Sequence, residues 1–241
     1  MTLVDVELPA APGGSAGLHG VLGVPVGDGP WPAVVLVHEA FGLTDVMRRQ
    51  VERVAQAGYL ALMPDLFSQG GARRCLLATI RALRSGEGRA FVDIESARSW
   101  LAVRPDSTGR TGVLGFCMGG GFAIASASGR DFAAASVNYG MLPRDLDAAL
   151  EHACPVVASY GGRDRSLRGA AAKIERTLTR YGVPHDVKEY PAAGHSFLND
   201  AETGPAALRP LEKLILGAGP EPASATDAWR RIEAFFGEHL R

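Results

Sequence analysis

The residues best placed to do chemistry lie in Gly115-Phe116-Cys117-Met118-Gly119-Gly120. The run follows an apolar segment, 111–115, that reads as a strand, and precedes a small-residue stretch, 121–128, that reads as a helix. Its spacing is that of a nucleophile elbow, G-x-S-x-G, with cysteine in the serine position. The glycines have a mechanical purpose. A nucleophile on a sharp strand-to-helix turn is exposed only if the two backbones approach closely, and flanking side chains would hold them apart. The helix then aims its free N–H groups and the positive end of its dipole at the sulfur, favouring a thiolate and the oxyanion of an acyl intermediate. A lone cysteine more often reads as a small buried hydrophobe. Strand before, helix after and a third glycine put the nucleophile ahead here.

A nucleophile of this kind requires a base, and the base an orienting acid. Behind such an elbow the chain order is nucleophile, acid, histidine. Of the six histidines, His195 in Gly194-His195-Ser196-Phe197 is the candidate base, because it lies just past the last strand-like run, where a loop can carry it over the elbow. His152, His185 and His239 read as surface or strand-edge residues, His19 as part of an early strand, and His38 as a loop-holding residue at the end of a strand. Asp164, after Gly161-Gly162-Arg163 at the end of another strand-like run, is the candidate acid. A turn or N-cap role ahead of Arg165-Ser166 also suits it. Asp65, after Met63-Pro64, reads as structural.

The third constellation is His38-Glu39-Ala40-Phe41-Gly42. It follows the 33–37 run, where the second oxyanion donor belongs, so the backbone N–H groups of Ala40 and Met118 are the expected pair. A zinc-binding HExxH helix is excluded, because Gly42 occupies the fifth position. Glu39 brings a carboxylate near the thiol. Its charge disfavours a thiolate, opposing the helix dipole and His195, and could keep the resting thiol neutral until substrate displaces it. On spacing alone, a loop carboxylate paired with an arginine is the alternative.

These residues need a scaffold of alternating strands and helices. Runs at 33–37, 59–63, 111–115, 133–138, 155–160 and 183–190 suit strands covered on both faces, and 2–8 and 18–24 read as two strands joined by a turn. Between them, Met47, Val51, Val54 and Ala55 share a helical face, as do Leu76, Leu77, Ile80 and Leu83, then Phe91, Ile94 and Leu101, and Ile174, Leu178 and Tyr181. Thr226-Asp227 could cap a last helix through Trp229, Ile232, Phe235 and Phe236. The expectation is one α/β domain over 1–241, with a mainly parallel twisted sheet of about eight strands and helices on both faces. Residues 199–222 are the loosest piece: glycine- and proline-rich ends flank Leu208, Leu211, Leu214 and Ile215. The segment suits a lip over a site or an ordinary surface helix equally.

Composition narrows the function classes. Lys plus Arg number 25 and Asp plus Glu 26, for a formal charge of −1, so no basic face for non-specific nucleic-acid binding is expected. An apolar fraction of 46% and a charged fraction of 21% belong to a folded chain rather than a disordered one. No window approaches the roughly 18 apolar residues of a membrane span, and the early acids of MTLVDVELPA do not read as a signal peptide. Cys75, Cys117 and Cys154 are too scattered for a disulfide framework or a zinc site, so a reduced, cytoplasmic protein is expected. Without a P-loop, a dinucleotide fingerprint or metal-ligand spacing, neither cofactor nor metal is expected. A small-molecule substrate is the expected partner, with monomer and homodimer both open.

Taken together, His38-Glu39-Ala40-Phe41-Gly42-Leu43, Pro64-Asp65-Leu66, Gly115-Phe116-Cys117-Met118-Gly119-Gly120, Asn138-Tyr139-Gly140, Gly162-Arg163-Asp164 and Ala193-Gly194-His195-Ser196-Phe197 resemble the dienelactone hydrolase family of the α/β-hydrolase fold. The resemblance implies a Cys117-His195-Asp164 triad, and a Glu39 that switches the thiol between a parked and an active state. It implies hydrolysis of enol-lactones, such as dienelactone to maleylacetate in bacterial degradation of (chloro)aromatics, or of related esters. It also implies substrate contacts at Phe41, Tyr139, Ser196, Phe197 and Asn199. One position departs from the family. An arginine four residues after the catalytic histidine grips the substrate carboxylate there, and here that position is Asn199. A second substrate arginine lies in the middle helical region, where Arg73, Arg74, Arg81 and Arg84 are all present and no motif selects one. Loss of a bidentate contact weakens the hold on an anionic substrate, which leaves a carboxylesterase with a different ester, or a ligand-binding member without catalysis, as alternatives. A peroxide-reactive thiol at Cys117 is a further one.

Overall fold

The computed structural model describes residues 1–241. The short apolar runs become one eight-stranded sheet in the order β1-β2-β4-β3-β5-β6-β7-β8. Its strands are β1 (Thr2–Glu7), β2 (His19–Val24), β3 (Trp31–Val37), β4 (Leu60–Pro64), β5 (Ser107–Phe116), β6 (Ala134–Asn138), β7 (Val156–Gly161) and β8 (His185–Tyr190). β1 and β2 run antiparallel to their neighbours, and every other pairing is parallel. The parallel strands β4, β6 and β7 are buried along their whole length, which accounts for their unbroken apolar sequences.

Helices cover both faces. One apolar core gathers α2 (Ala72–Ser85), α3 (Arg89–Ala102), α4 (Met118–Ser126), α5 (Leu146–Leu150) and α6 (Ala170–Tyr181). The opposite core is built by α1 (Asp45–Gln56) and α8 (Pro222–Leu240). Helix α7 (Arg209–Leu216) joins neither and buries none of its residues. β5 starts four residues before the expected 111, because residues 107–110 are polar and exposed at the strand's free end and carry no apolar signal. The five-residue α5 falls below the length at which periodicity speaks. No helix is long and apolar enough to cross a membrane.

Register brings the site together. Val37 pairs with Gly115, and Phe116 with Asn138, so the residues following β3, β5 and β6 emerge side by side at the carboxyl edge of the sheet. Parallel α/β sheets place their ligand sites at this edge.

Candidate active site

Cys117 sits between β5 and α4 with φ 56° and ψ −116°, a positive φ that non-glycine residues rarely adopt. The surroundings enforce it. Its N–H donates to the Asn138 carbonyl at 3.1 Å, and its own carbonyl accepts from the Gly121 N–H at 3.2 Å. A Cβ on Gly115 would overlap the Gly119 carbonyl, and one on Gly119 would overlap the Val37 carbonyl. The glycines around the elbow therefore permit backbone-to-backbone contact. Met118 is the first residue of α4, so its N–H lies outside the intrahelical ladder.

His195 faces this turn from the loop after β8. Its Nδ1 is 2.6 Å from Asp164 Oδ2. The other carboxylate oxygen, Oδ1, accepts from the Ser166 N–H at 3.0 Å and the Ser166 hydroxyl at 2.6 Å. Asp164 thus makes both contacts that its sequence position suggested: one oxygen meets the imidazole while the other caps the 3-10 turn Arg165–Leu167. Burial pushes the Asp164 carboxyl up, but the hydrogen bonds from His195 and Ser166 outweigh it and hold the group below the usual aspartate value. Burial alone would lower His195; the negative charges of Cys117 and Asp164 override it and raise the imidazole to about 10. Tyr139, fully buried with its ring 5.1 Å from that of His195, backs the imidazole, and Phe197 supports Tyr139 at 5.6 Å.

Glu39 is buried at 2% exposure with no cationic partner. Oε1 accepts from the Ser196 hydroxyl at 3.1 Å and Asn199 Nδ2 at 2.9 Å, and Oε2 from the Thr203 hydroxyl at 3.0 Å. Asn199, expected to contact substrate, therefore binds Glu39 instead.

Above Cys117 lies a cavity of about 180 Å³. Glu39, Ala40, Phe41, Cys117, His195 and Ser196 form its floor and walls. Tyr139, Phe197 and Asn199 are buried outside that lining, because their side chains pack under the histidine loop or toward Glu39. The loose 199–222 segment closes the other side, contributing Thr203, Arg209, Lys213, Leu216 and Gly219. Arg209 Nη1 lies 3.7 Å from Glu202 Oε2, and Lys213 pairs with the same carboxylate. The cations of the cavity therefore come from α7, not from Arg73, Arg74, Arg81 or Arg84, none of which lines it. No motif marks Arg209 or Lys213. The only signal in the chain was the loose segment that carries them.

Comparison with known proteins bears on the family and the fold. The model of the dienelactone hydrolase family matches residues 18–240. A Salmonella typhimurium protein provisionally named carboxymethylenebutenolidase is 29% identical over 229 residues, covering 88% of this chain and 79% of that one. A Synechocystis protein with the same provisional name is 27% identical over 260 residues and is covered, like this chain, at 99%. The crystal structure of a Klebsiella pneumoniae protein, provisionally described as a dienelactone hydrolase, has a TM-score of 0.77 at 25% identity, covering 99% of this chain and 100% of that one. The fold is that of the α/β-hydrolases, and with a match running from before β2 to the end of α8 the chain belongs to the dienelactone hydrolase family.

Proposed function

We propose that this hydrolase cleaves small esters and lactones through the thiol of Cys117. The observation that carries the reading is the 2.6 Å hydrogen bond that His195 Nδ1 donates to Asp164, which leaves the other imidazole nitrogen for the cysteine at the elbow. The Cys117 proton lies on His195 in the reactive state, as the raised imidazole favours, and the thiolate attacks the acyl carbon. The C=O electron pair moves to oxygen, where the N–H groups of Ala40 and Met118 receive it; one such donor typically lowers a barrier by about 3 kcal/mol. Collapse breaks the acyl C–O bond, and the imidazolium returns its proton to the departing oxygen. An enol leaving group needs little of that help, because its anion is stabilised. Water, deprotonated by His195, then cleaves the thioester and releases the acid and the free thiol.

Glu39 supplies the opposing charge. Its three neutral donors leave its negative charge uncancelled next to the nucleophile. Substrate entering between Glu39 and the lip would relieve that opposition. A cavity of about 180 Å³ favours a small acyl group, being below the roughly 300–1,000 Å³ typical of drug-sized ligands. Burial pushes Cys154 up to about 12, which makes it a poor resolving thiol and weighs against a redox-sensor role. Three free cysteines suit a reducing, cytoplasmic setting.

Cys117→Ala tests the reading with 4-nitrophenyl acetate and an enol lactone as substrates. The expected result is loss of turnover, together with an acyl adduct on Cys117 by mass spectrometry of the quenched wild-type enzyme. Turnover that survives the substitution, or binding without turnover in the wild type, overturns it.

A further inference from the structure

His38 is completely buried, 0% exposed, and lies outside the triad. Its two ring nitrogens have unambiguous partners. The Leu66 N–H donates to Nε2 at 3.1 Å, so Nε2 carries the lone pair. Nδ1 must then carry the proton, and it lies 2.6 Å from the Glu39 carbonyl. Burial keeps the ring neutral, outweighing the Glu39 carbonyl and the Asp65 carboxylate, whose Oδ1 is 3.7 Å away. The edge of Phe67 closes the pocket, with ring centroids 4.9 Å apart.

The Glu39 carbonyl shares a planar trans peptide with the Ala40 N–H, and in such a unit the C=O and N–H point in opposite directions. The carbonyl is held on the interior side by His38 and by the Gly42 N–H at 3.2 Å. The Ala40 N–H donates to no backbone acceptor, and Ala40 lines the cavity over Cys117. We infer that His38, anchored by the Leu66 amide, is a positioning residue: it fixes the 39–40 peptide plane so that the Ala40 N–H is already aimed at the oxyanion. The inference rests on the hydrolase reading above.

This also explains the segment after β4. Asp65 Oδ1 accepts the Phe67 N–H at 2.9 Å, folding a tight turn that presents the Leu66 N–H to the ring. A pre-aimed donor needs no reorganisation as charge develops, which is why such dipoles act on the transition state more than on the bound substrate.

Two isosteres separate positioning from packing. Asn at position 38 can place its amide nitrogen near Nδ1 and so restore the donor to Glu39. Gln can place its carbonyl oxygen near Nε2 and restore only the acceptor for Leu66. With 4-nitrophenyl acetate, His38→Gln is expected to lower kcat about 30-fold at nearly constant KM, and His38→Asn only about threefold, against the 10²–10³ typical of losing an oxyanion donor outright. Alkylation of Cys117 by iodoacetamide creates no oxyanion and should be unchanged in both. Gln equal to or better than Asn, or kcat and alkylation falling together, overturns the inference. A measurement on the wild-type protein needs no variant: ¹⁵N NMR should find His38 as the Nδ1–H tautomer, and an Nε2–H ring or an imidazolium overturns it equally. Cys117→Ala keeps the two questions apart, since turnover independent of Cys117 removes the mechanism itself, whatever position 38 does.

Discussion

The elbow and the lip meet over the same cavity but are built in opposite ways. Helix α4, behind the elbow, buries eight of its nine residues. Helix α7, in the lip, buries none and exposes Leu211, Leu214 and Ile215, Leu214 at 74%. Backbone lies against backbone around Cys117, which resists its displacement. The lip has one close backbone contact, Gly217 against Gly194, and is otherwise attached through polar contacts. The His195 N–H donates to the Leu216 carbonyl at 3.0 Å, the Gly219 N–H to the His195 carbonyl at 3.0 Å, and the Thr203 hydroxyl to Glu39. Close packing resists displacement, while segments with few buried apolar contacts open at low cost. Under the proposed mechanism, bond-making falls to the rigid half of the site and substrate selection to the adjustable half.

The comparison can be broken at either end, and the largest effects belong to the rigid half. Asp164→Asn removes the charge that orients His195, so kcat should fall by about 10³–10⁴; a drop below tenfold would mean that Asp164 serves only as the turn cap. The same variant should lower the His195 titration from its value of about 10, which NMR of the imidazole would follow. The sign for stability is fixed by that raised value. The contribution of His195 is fully present below its ordinary 6.5 and is lost as pH rises through about 10, so the wild type should lose thermal stability across that alkaline window. In His195→Ala that loss should be smaller, and an equal loss would assign it to other groups.

Gly119→Ala comes next. Its Cβ meets backbone, which cannot rotate away, and unfolding titrations should show a loss of about 3 kcal/mol or more. A loss under 1 kcal/mol would show the elbow to be softer than its contacts imply. Glu39→Gln should speed iodoacetamide alkylation of Cys117 several-fold, and an unchanged rate removes the switch. In the lip, Lys213→Gln should raise KM for a carboxylate-bearing ester severalfold while leaving a neutral ester and kcat alone. Leu214→Ser should change stability by no more than about 0.5 kcal/mol, as for an exposed side chain. A larger loss would show that α7 packs more tightly than its exposure indicates.

Much of the molecule was readable from local patterns. Seven of the expected strand runs lie within a residue or two of β1–β4 and β6–β8. For β3, β4, β6 and β7 the reason is that strands covered on both faces are written as unbroken apolar segments; β8, expected to be covered on both faces, is instead a largely polar and part-exposed edge strand, and β1 lies exposed at the other edge. That Cys117, Asp164 and His195 would lie near one another was readable, because each follows a strand end at the same edge of the sheet. The hydrogen-bonding of His38 was not readable: its partners are the Glu39 carbonyl and the Leu66 N–H, and a histidine ending a strand carries no mark of its tautomer. Nor could spacing tell that Asn199 would reach back to Glu39 across 160 residues, or that Arg209 and Lys213 rather than the α2 arginines would border the cavity. Residue types and their order along the chain settled which atoms could react and which strand ends would carry them, because those are short-range properties of the backbone. Which charge faces which, and what walls the substrate meets, was decided only by the closed tertiary structure, because those contacts join segments that no local rule brings together.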